Sequence, residues 1–215
     1  MPATALAWSG VIKAVLWDFG GVILTSPFDA FAEHERRVGL PEGFIRGVNA
    51  TNPHSNAWAQ LERQEITIDD FNAAFEAEAL ALGGNISGAD VLELIAGEVR
   101  PEMVAALRRC RDAGFAQACL TNNVASENSR PEVEDVMALF DVVIESSKLG
   151  IRKPEPRFYE LACEALEVEP DECVFLDDLG INLKPARAMG MTTIKVDTPA
   201  QALGELEVVL GLELR

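Results

Sequence analysis

Four places in the sequence set a chemically capable polar residue just beyond a short apolar run. Asp18 follows residues 12–17, Thr121-Asn122-Asn123 follow 116–120, and Asp177-Asp178 follow 173–176. Beyond residues 142–144, past Glu145-Ser146-Ser147, comes Lys153-Pro154. Carboxylates are hard oxygen donors suited to a cation such as Mg²⁺, and a carboxylate is also a competent nucleophile. A lysine ammonium is a compact point charge, while a hydroxyl and the tight Gly20-Gly21 turn offer donors to an anion. Brought together, these groups would bind an anionic substrate and attack it. Taken singly, each has an ordinary alternative: an Asp as a helix cap, a Thr-Asn pair as a turn, a solvated lysine before a helix start.

The elements that would gather them are legible from periodicity. Uninterrupted apolar runs read as parallel strands buried on both faces, at residues 12–17, 116–120, 142–144, 173–176 and 192–196. Between them Met103, Leu107 and Cys110, and Phe158, Leu161, Ala162 and Leu166, fall at helical spacing. Ala186 and Met189 fit a short helix opened by Asn182, with Pro185 in its first turn. A last helix over 199–210 takes Thr198 as N-cap and Pro199 as its first residue. Strands alternating with helices predict an α/β protein with a doubly wound, Rossmann-like parallel sheet. Ligands of such sheets bind beyond the carboxyl ends of the strands, where all four polar clusters fall. If the first and fourth strands are neighbours, their ends lie about 4.8 Å apart, which lets Asp18 and the Asp177-Asp178 pair share one ion.

Residues 26–99 break that rhythm. They contain no convincing strand, and Phe28, Phe31, Phe44, Ile45, Trp58, Leu61, Phe71 and Phe75 give helical spacing. Thr67 with Asp70 reads as a capping box. The expected organisation is a Rossmann-like core of residues 1–25 and 100–215, with a small α-helical cap of 26–99 inserted after the first strand. The apolar residues of the cap read as its core. The acidic residues Glu62, Glu65, Asp69, Asp70, Glu76 and Glu78 read as a solvated helix face.

Composition excludes several classes. The 215 residues carry 18 Lys plus Arg against 35 Asp plus Glu, a net charge of −17. That balance argues against nucleic-acid binding and against a polybasic membrane anchor, but leaves a phosphorylated small molecule open. No run of about 18 apolar residues is present, so no membrane span is expected. The first ten residues, MPATALAWSG, lack the basic and apolar regions of a signal peptide. Cys110, Cys119, Cys163 and Cys173 form no CxxC pair, and are expected as reduced thiols in the cytoplasm.

The motifs WDFGGV (17–22), CLTNN (119–123), RKPEP (152–156) and FLDDLGINLKPARAMGM (175–191) resemble those of the haloacid dehalogenase-like hydrolase superfamily. The last string, together with TNN, looks most like the amino-terminal phosphatase domain of soluble epoxide hydrolases and the related domain of some acyl-CoA dehydrogenase fusions. The resemblance implies a Mg²⁺-dependent phosphatase acting on a small phosphomonoester through an aspartyl-phosphate on Asp18. It implies metal ligation by Asp18, the Gly20 carbonyl and Asp178, with Asp177 direct or one shell out. Lys153 would hold the nucleophile and a phosphate oxygen. Thr121, the Asn122 backbone, Asn123 and the Gly20-Gly21 turn would contact phosphate.

One departure stands out. Phosphatases of this kind carry a second Asp, the leaving-group acid, where this chain has Gly20. A good leaving group would need it less, and His34, His54, Glu62 and Glu65 are substitutes by residue type. Gly20 therefore keeps open a second class of reading, a non-catalytic phosphate-ligand sensor or interaction protein. A dehalogenase is a weaker alternative, because such enzymes need no metal and replace the acidic pair. The epoxide-hydrolase likeness points to lipid or small hydrophobic phosphates, whereas the Asp-x-Gly motif resembles sugar-phosphate phosphatases; nucleotides also remain open. The aromatic content of the cap is compatible with a homodimer.

Overall fold

The computed structural model describes residues 11–125 and 130–215; the amino-terminal segment read above as lacking a signal peptide lies outside them. Five parallel strands form one sheet in the order β3-β2-β1-β4-β5: β1 Ala14–Trp17, β2 Ala116–Thr121, β3 Val142–Glu145, β4 Cys173–Asp177 and β5 Thr192–Lys195. β1 is central, pairing Trp17 with Cys119 on one side and with Leu176 on the other.

All four β1 residues are buried, and their alternation sends them to two separate cores. Val15 and Trp17 join Leu176, Ile194, helix α6 (Pro101–Asp112) and helix α11 (Pro199–Leu210) on one face. Ala14 and Leu16 join Phe175, α9 (Pro156–Leu166) and α10 (Gly180–Ala188) on the other. A strand covered on both faces has no polar alternation, which is why it reads as a continuous apolar run. The Trp17 indole N–H is satisfied inside this core by the Gln117 side chain at 2.7 Å.

Between β1 and α6 the chain forms five helices: α1 Phe28–Val38, α2 Phe44–Ala50, α3 Ala57–Glu62, α4 Ile68–Ala81 and α5 Gly88–Leu94. They enclose a third core of Phe31, Ile45, Leu61, Phe71, Phe75 and Val91, among others. Where the chain leaves and rejoins the sheet layer its two crossings run side by side. Leu24 bridges Val99, the Thr25 N–H donates to Glu98 O (2.8 Å), and the Arg100 N–H donates to Ile23 O (2.9 Å). The Thr67–Asp70 capping box forms at the start of α4, and Thr198 with Gln201 caps α11. The short helices α7 (Pro131–Met137) and α8 (Ser146–Leu149) flank β3.

Three local expectations are corrected. Helix α10 begins at Gly180 rather than after Asn182, because Asn182 spends its side chain on Asp177 instead of capping. Pro185 consequently sits inside α10, where it has no N–H to give to the helical ladder. The acidic residues of the helical segment are not one solvated face: Glu62 is buried, Glu78 accepts from the Ala57 N–H (2.8 Å), and Asp70 is a cap.

Phe71 and Phe75 are fully buried with ring centroids 5.4 Å apart. Phe75→Ala should lower the unfolding free energy by about 3–5 kcal/mol through lost burial and a residual cavity, read from urea denaturation. A loss below about 1 kcal/mol would mean that the helical core repacks freely.

Candidate active site

Parallel pairing brings the four polar clusters to one end of the sheet. Because Trp17 is in register with Leu176, the next residues, Asp18 and Asp177, leave neighbouring strands together; the Asp18 N–H extends the ladder to Leu176 O at 2.8 Å. Thr121 ends β2 beside them and is buried. Lys153 arrives from the segment between α8 and α9, with only 1% of its surface exposed. Its ammonium lies 2.7 Å from Asp18 Oδ1 and 2.8 Å from Asp177 Oδ2, and 5.6 Å from the centre of the Phe175 ring.

The two bridged carboxylates differ in what remains free. Asp177 accepts from the Leu179 N–H at 2.8 Å and from Asn182 Nδ2 at 3.1 Å on both oxygens, in addition to Lys153. It is fully committed to protein donors. Asp18 receives Lys153 and the Phe19 N–H (2.6 Å) on the same oxygen, Oδ1. Among the described residues, no hydrogen bond falls on Oδ2. Asp178 adds a third carboxylate, and ligand oxygens of Asp18, Asp177 and Asp178 all lie within 4.8 Å of one another.

Three carboxylates around one ammonium leave excess negative charge. Burial, and then the charge of Asp177, push the Asp18 carboxyl well above its ordinary value, against the pull of Lys153. Burial and Asp177 likewise raise Asp178 to about 6. For Lys153, burial alone would lower the pKa, but Asp177 and Asp18 override it and the ammonium is held charged. A hard cation placed among these oxygens would relieve the imbalance, so the donor set fits Mg²⁺.

The turn after Asp18 uses its glycines differently. Gly21 has φ +79, and a Cβ there would overlap the Asp178 carboxylate; only glycine lets that carboxylate approach. Its carbonyl accepts from Arg100 Nη1 at 2.9 Å. Gly20 has φ −70 and ψ 131, and a Cβ there would meet no heavy atom within 4 Å.

Asn122 and Asn123 sit where expected, but their side chains are engaged. Asn122 brackets the Lys153 backbone, donating to its carbonyl (3.0 Å) and accepting from its N–H (2.8 Å). Asn123 donates to Glu145 (3.0 Å) and accepts from the Ser147 hydroxyl (2.9 Å), while its N–H is held by Ser146 (3.0 Å). Asn123 thus braces the β3–α8 junction and has neither its N–H nor its side-chain groups free for phosphate.

These groups floor a cavity of about 1530 Å³ whose walls include Leu24, Phe28, Leu92, Ile95, Val133 and Met137. On another wall stands a buried ion pair that motif reading missed. Arg152 Nε lies 2.5 Å from Glu62 Oε2, Trp58 Nε1 donates to Glu62 Oε1 (2.8 Å), and Arg152 Nη1 donates to Pro53 O (2.8 Å). Arg152 immediately precedes Lys153, so this pair ties the lysine segment to α3. The only sequence signal was that RKPEP places two cations in succession. Trp58 and Phe28 are half-buried, serving both the helical core and the cavity wall.

The model of the haloacid dehalogenase-like hydrolase family matches residues 12–190. "Bifunctional epoxide hydrolase 2" of Sus scrofa is 32% identical over 94% of this chain, and this chain spans only 40% of that protein. A phosphatase of Mycobacterium tuberculosis is 31% identical, over 88% of this chain and 89% of its own. A haloacid dehalogenase-family enzyme of Bacteroides thetaiotaomicron, solved with magnesium and inorganic phosphate, shares the fold at TM-score 0.58 and 21% identity, over 86% of this chain and 93% of that one.

Glu62→Ala would leave the Arg152 guanidinium buried without its counter-charge. The variant should lose about 3 kcal/mol of stability, measured by denaturant melting. A change under about 0.5 kcal/mol would show a pair screened by solvent.

Proposed function

Since the chain belongs to the haloacid dehalogenase-like hydrolase family, we propose that it is a Mg²⁺-dependent phosphatase in which Asp18 is the nucleophile. One observation carries this reading: Asp18 is held on Oδ1 alone, leaving Oδ2 free at the floor of the cavity. The alternative of a dehalogenase gains nothing from the site, because Asp178 adds a carboxylate that only a cation makes useful.

The reaction divides into two displacements. Asp18 Oδ2 attacks phosphorus, a P–O bond forms to the carboxylate, and the bond to the leaving oxygen breaks. Water then attacks phosphorus, the Asp18–phosphorus link breaks, and orthophosphate is released. Lys153 keeps Asp18 oriented and partly neutralised throughout. Thr121 and the backbone N–H groups of Asn122 and of the Gly20-Gly21 turn donate to the non-bridging oxygens. Asp18, the Gly20 carbonyl and Asp178 would hold Mg²⁺, with Asp177 orienting Lys153. When bound, the ion supplies the positive charge that lets a carboxylate and a phosphate approach.

The helices of residues 26–99 act in this reading as a cap over the phosphate site. Their apolar contribution to the cavity wall favours a substrate with an apolar body over a bare sugar.

With Mg²⁺, wild-type protein should hydrolyse 4-nitrophenyl phosphate; chelation should stop it, and Asp18→Asn should lose on the order of 10⁴-fold in kcat. Activity surviving in that variant sinks the assigned nucleophile. Mg²⁺ at about 100 times its Kd should also raise Tm by about 5–10 °C, and Asp178→Asn should lose most of that shift. An equal shift in the variant removes Asp178 from the ligand set.

A further inference from the structure

Position 20 follows the nucleophile and opens onto the cavity. Its φ and ψ lie in a region open to every L-residue, and nothing stands within 4 Å of where a Cβ would be. The fold therefore does not impose the missing side chain there. A proton for the departing oxygen would have to come from elsewhere on the cavity wall, where Asp178 is assigned in this reading to the cation and the other candidate groups are engaged or exposed.

Glu62, the buried carboxyl of that wall, has its pKa raised by burial against the pull of Arg152, but both its oxygens are taken: Oε2 lies against Arg152 and Oε1 accepts from Trp58 Nε1. Glu145 is paired with Lys148 and Asn123. Lys153 is committed to Asp18 and Asp177. Of the other candidates, Glu65 is paired with Arg63, and His34 is buried in α1 against Arg37; neither lines the cavity. His54 does line it, but as an exposed residue.

We propose that this site is specialised for phosphate esters whose leaving oxygen departs without enzymic protonation: acyl, enol, aryl and anomeric phosphates rather than simple alkyl ones. The proposal rests on the phosphatase reading and narrows its substrate class. In the first displacement the P–O(leaving) electron pair goes to the leaving oxygen, which departs as an anion and takes its proton from solvent. A carboxylate or phenolate, with conjugate acids near pKa ~4 and ~10, tolerates that fate; an alkoxide does not. General acid help is worth roughly 10²–10⁴-fold, so its absence separates the two classes by that order. The apolar cavity wall suits the aryl and acyl members.

The test is kcat/KM, with Mg²⁺, across aryl phosphates of increasing phenol pKa and one alkyl phosphate, for wild type, Gly20→Asp and His54→Ala. Wild type should fall steeply as leaving-group pKa rises. Gly20→Asp should flatten that slope and lift the alkyl ester by roughly 10²–10⁴-fold; His54→Ala should leave the slope as it is. A shallow wild-type slope overturns the proposal, and if His54→Ala then steepens it, His54 is the hidden acid. The wild-type slope decides the matter even if Gly20→Asp fails to fold. No turnover of any ester overturns the phosphatase reading instead, and the proposal with it.

Discussion

The Lys153 ammonium, buried between Asp18 and Asp177, is the interaction on which the rest of the site depends. Removing an ammonium from water costs several kcal/mol, and the cost is offset only when close carboxylates meet it in good geometry. Much of the surrounding structure provides that geometry. β1 and β4 deliver the two carboxylates from adjacent strand ends, Asn122 grips the lysine backbone, and Asn182 with Leu179 fixes Asp177. The third carboxylate, Asp178, has no ammonium of its own, and burial first and the charge of Asp177 second raise its pKa. A site that concentrates negative charge so heavily around one cation fits the second cation proposed for it.

The distribution of bonds on the two bridged carboxylates turns that charge into chemistry. Asp177 is saturated and therefore fixed, whereas Asp18 is anchored by one oxygen only. The nucleophilic role proposed for Asp18 needs this division, with one atom to set direction and the other free to react. Lys153 also links the sheet to the helical segment through its neighbour Arg152, whose pairing with Glu62 crosses to α3. Reacting end and cavity wall are thus positioned by consecutive residues of one short segment.

How much was legible in the sequence follows from what each residue packs against. β1 to β5 could be read to within two residues, because burial on both faces removes polar alternation. Thr121, Glu145 and Asp177 close their strands one residue later than the apolar runs suggest, since the backbone ladder continues where hydrophobicity stops. Asp18, Lys153 and Asp177-Asp178 were legible because several catalytic residue types recur at strand ends in one order. Asn182, Glu62 and Arg152 were not. Asn182 looks like a cap until Asp177 is known to lie beside it, and Glu62 looks like a surface residue until the arginine that neutralises it is brought across 90 positions of chain. Local pattern carries no trace of such partners.

The adjacent glycines after Asp18 show how far a residue type alone can mislead. At Gly21, a positive φ and the Asp178 carboxylate both exclude a side chain, so the glycine is what lets Asp178 stand beside Asp18 and Asp177. At Gly20 neither constraint exists: the backbone is ordinary and the space is open. A missing side chain that the fold does not demand is a statement about the reaction rather than about the structure. In the proposed reaction it moves the burden of charge on the leaving oxygen from the protein to the substrate, and so makes the leaving group itself part of what the site would select.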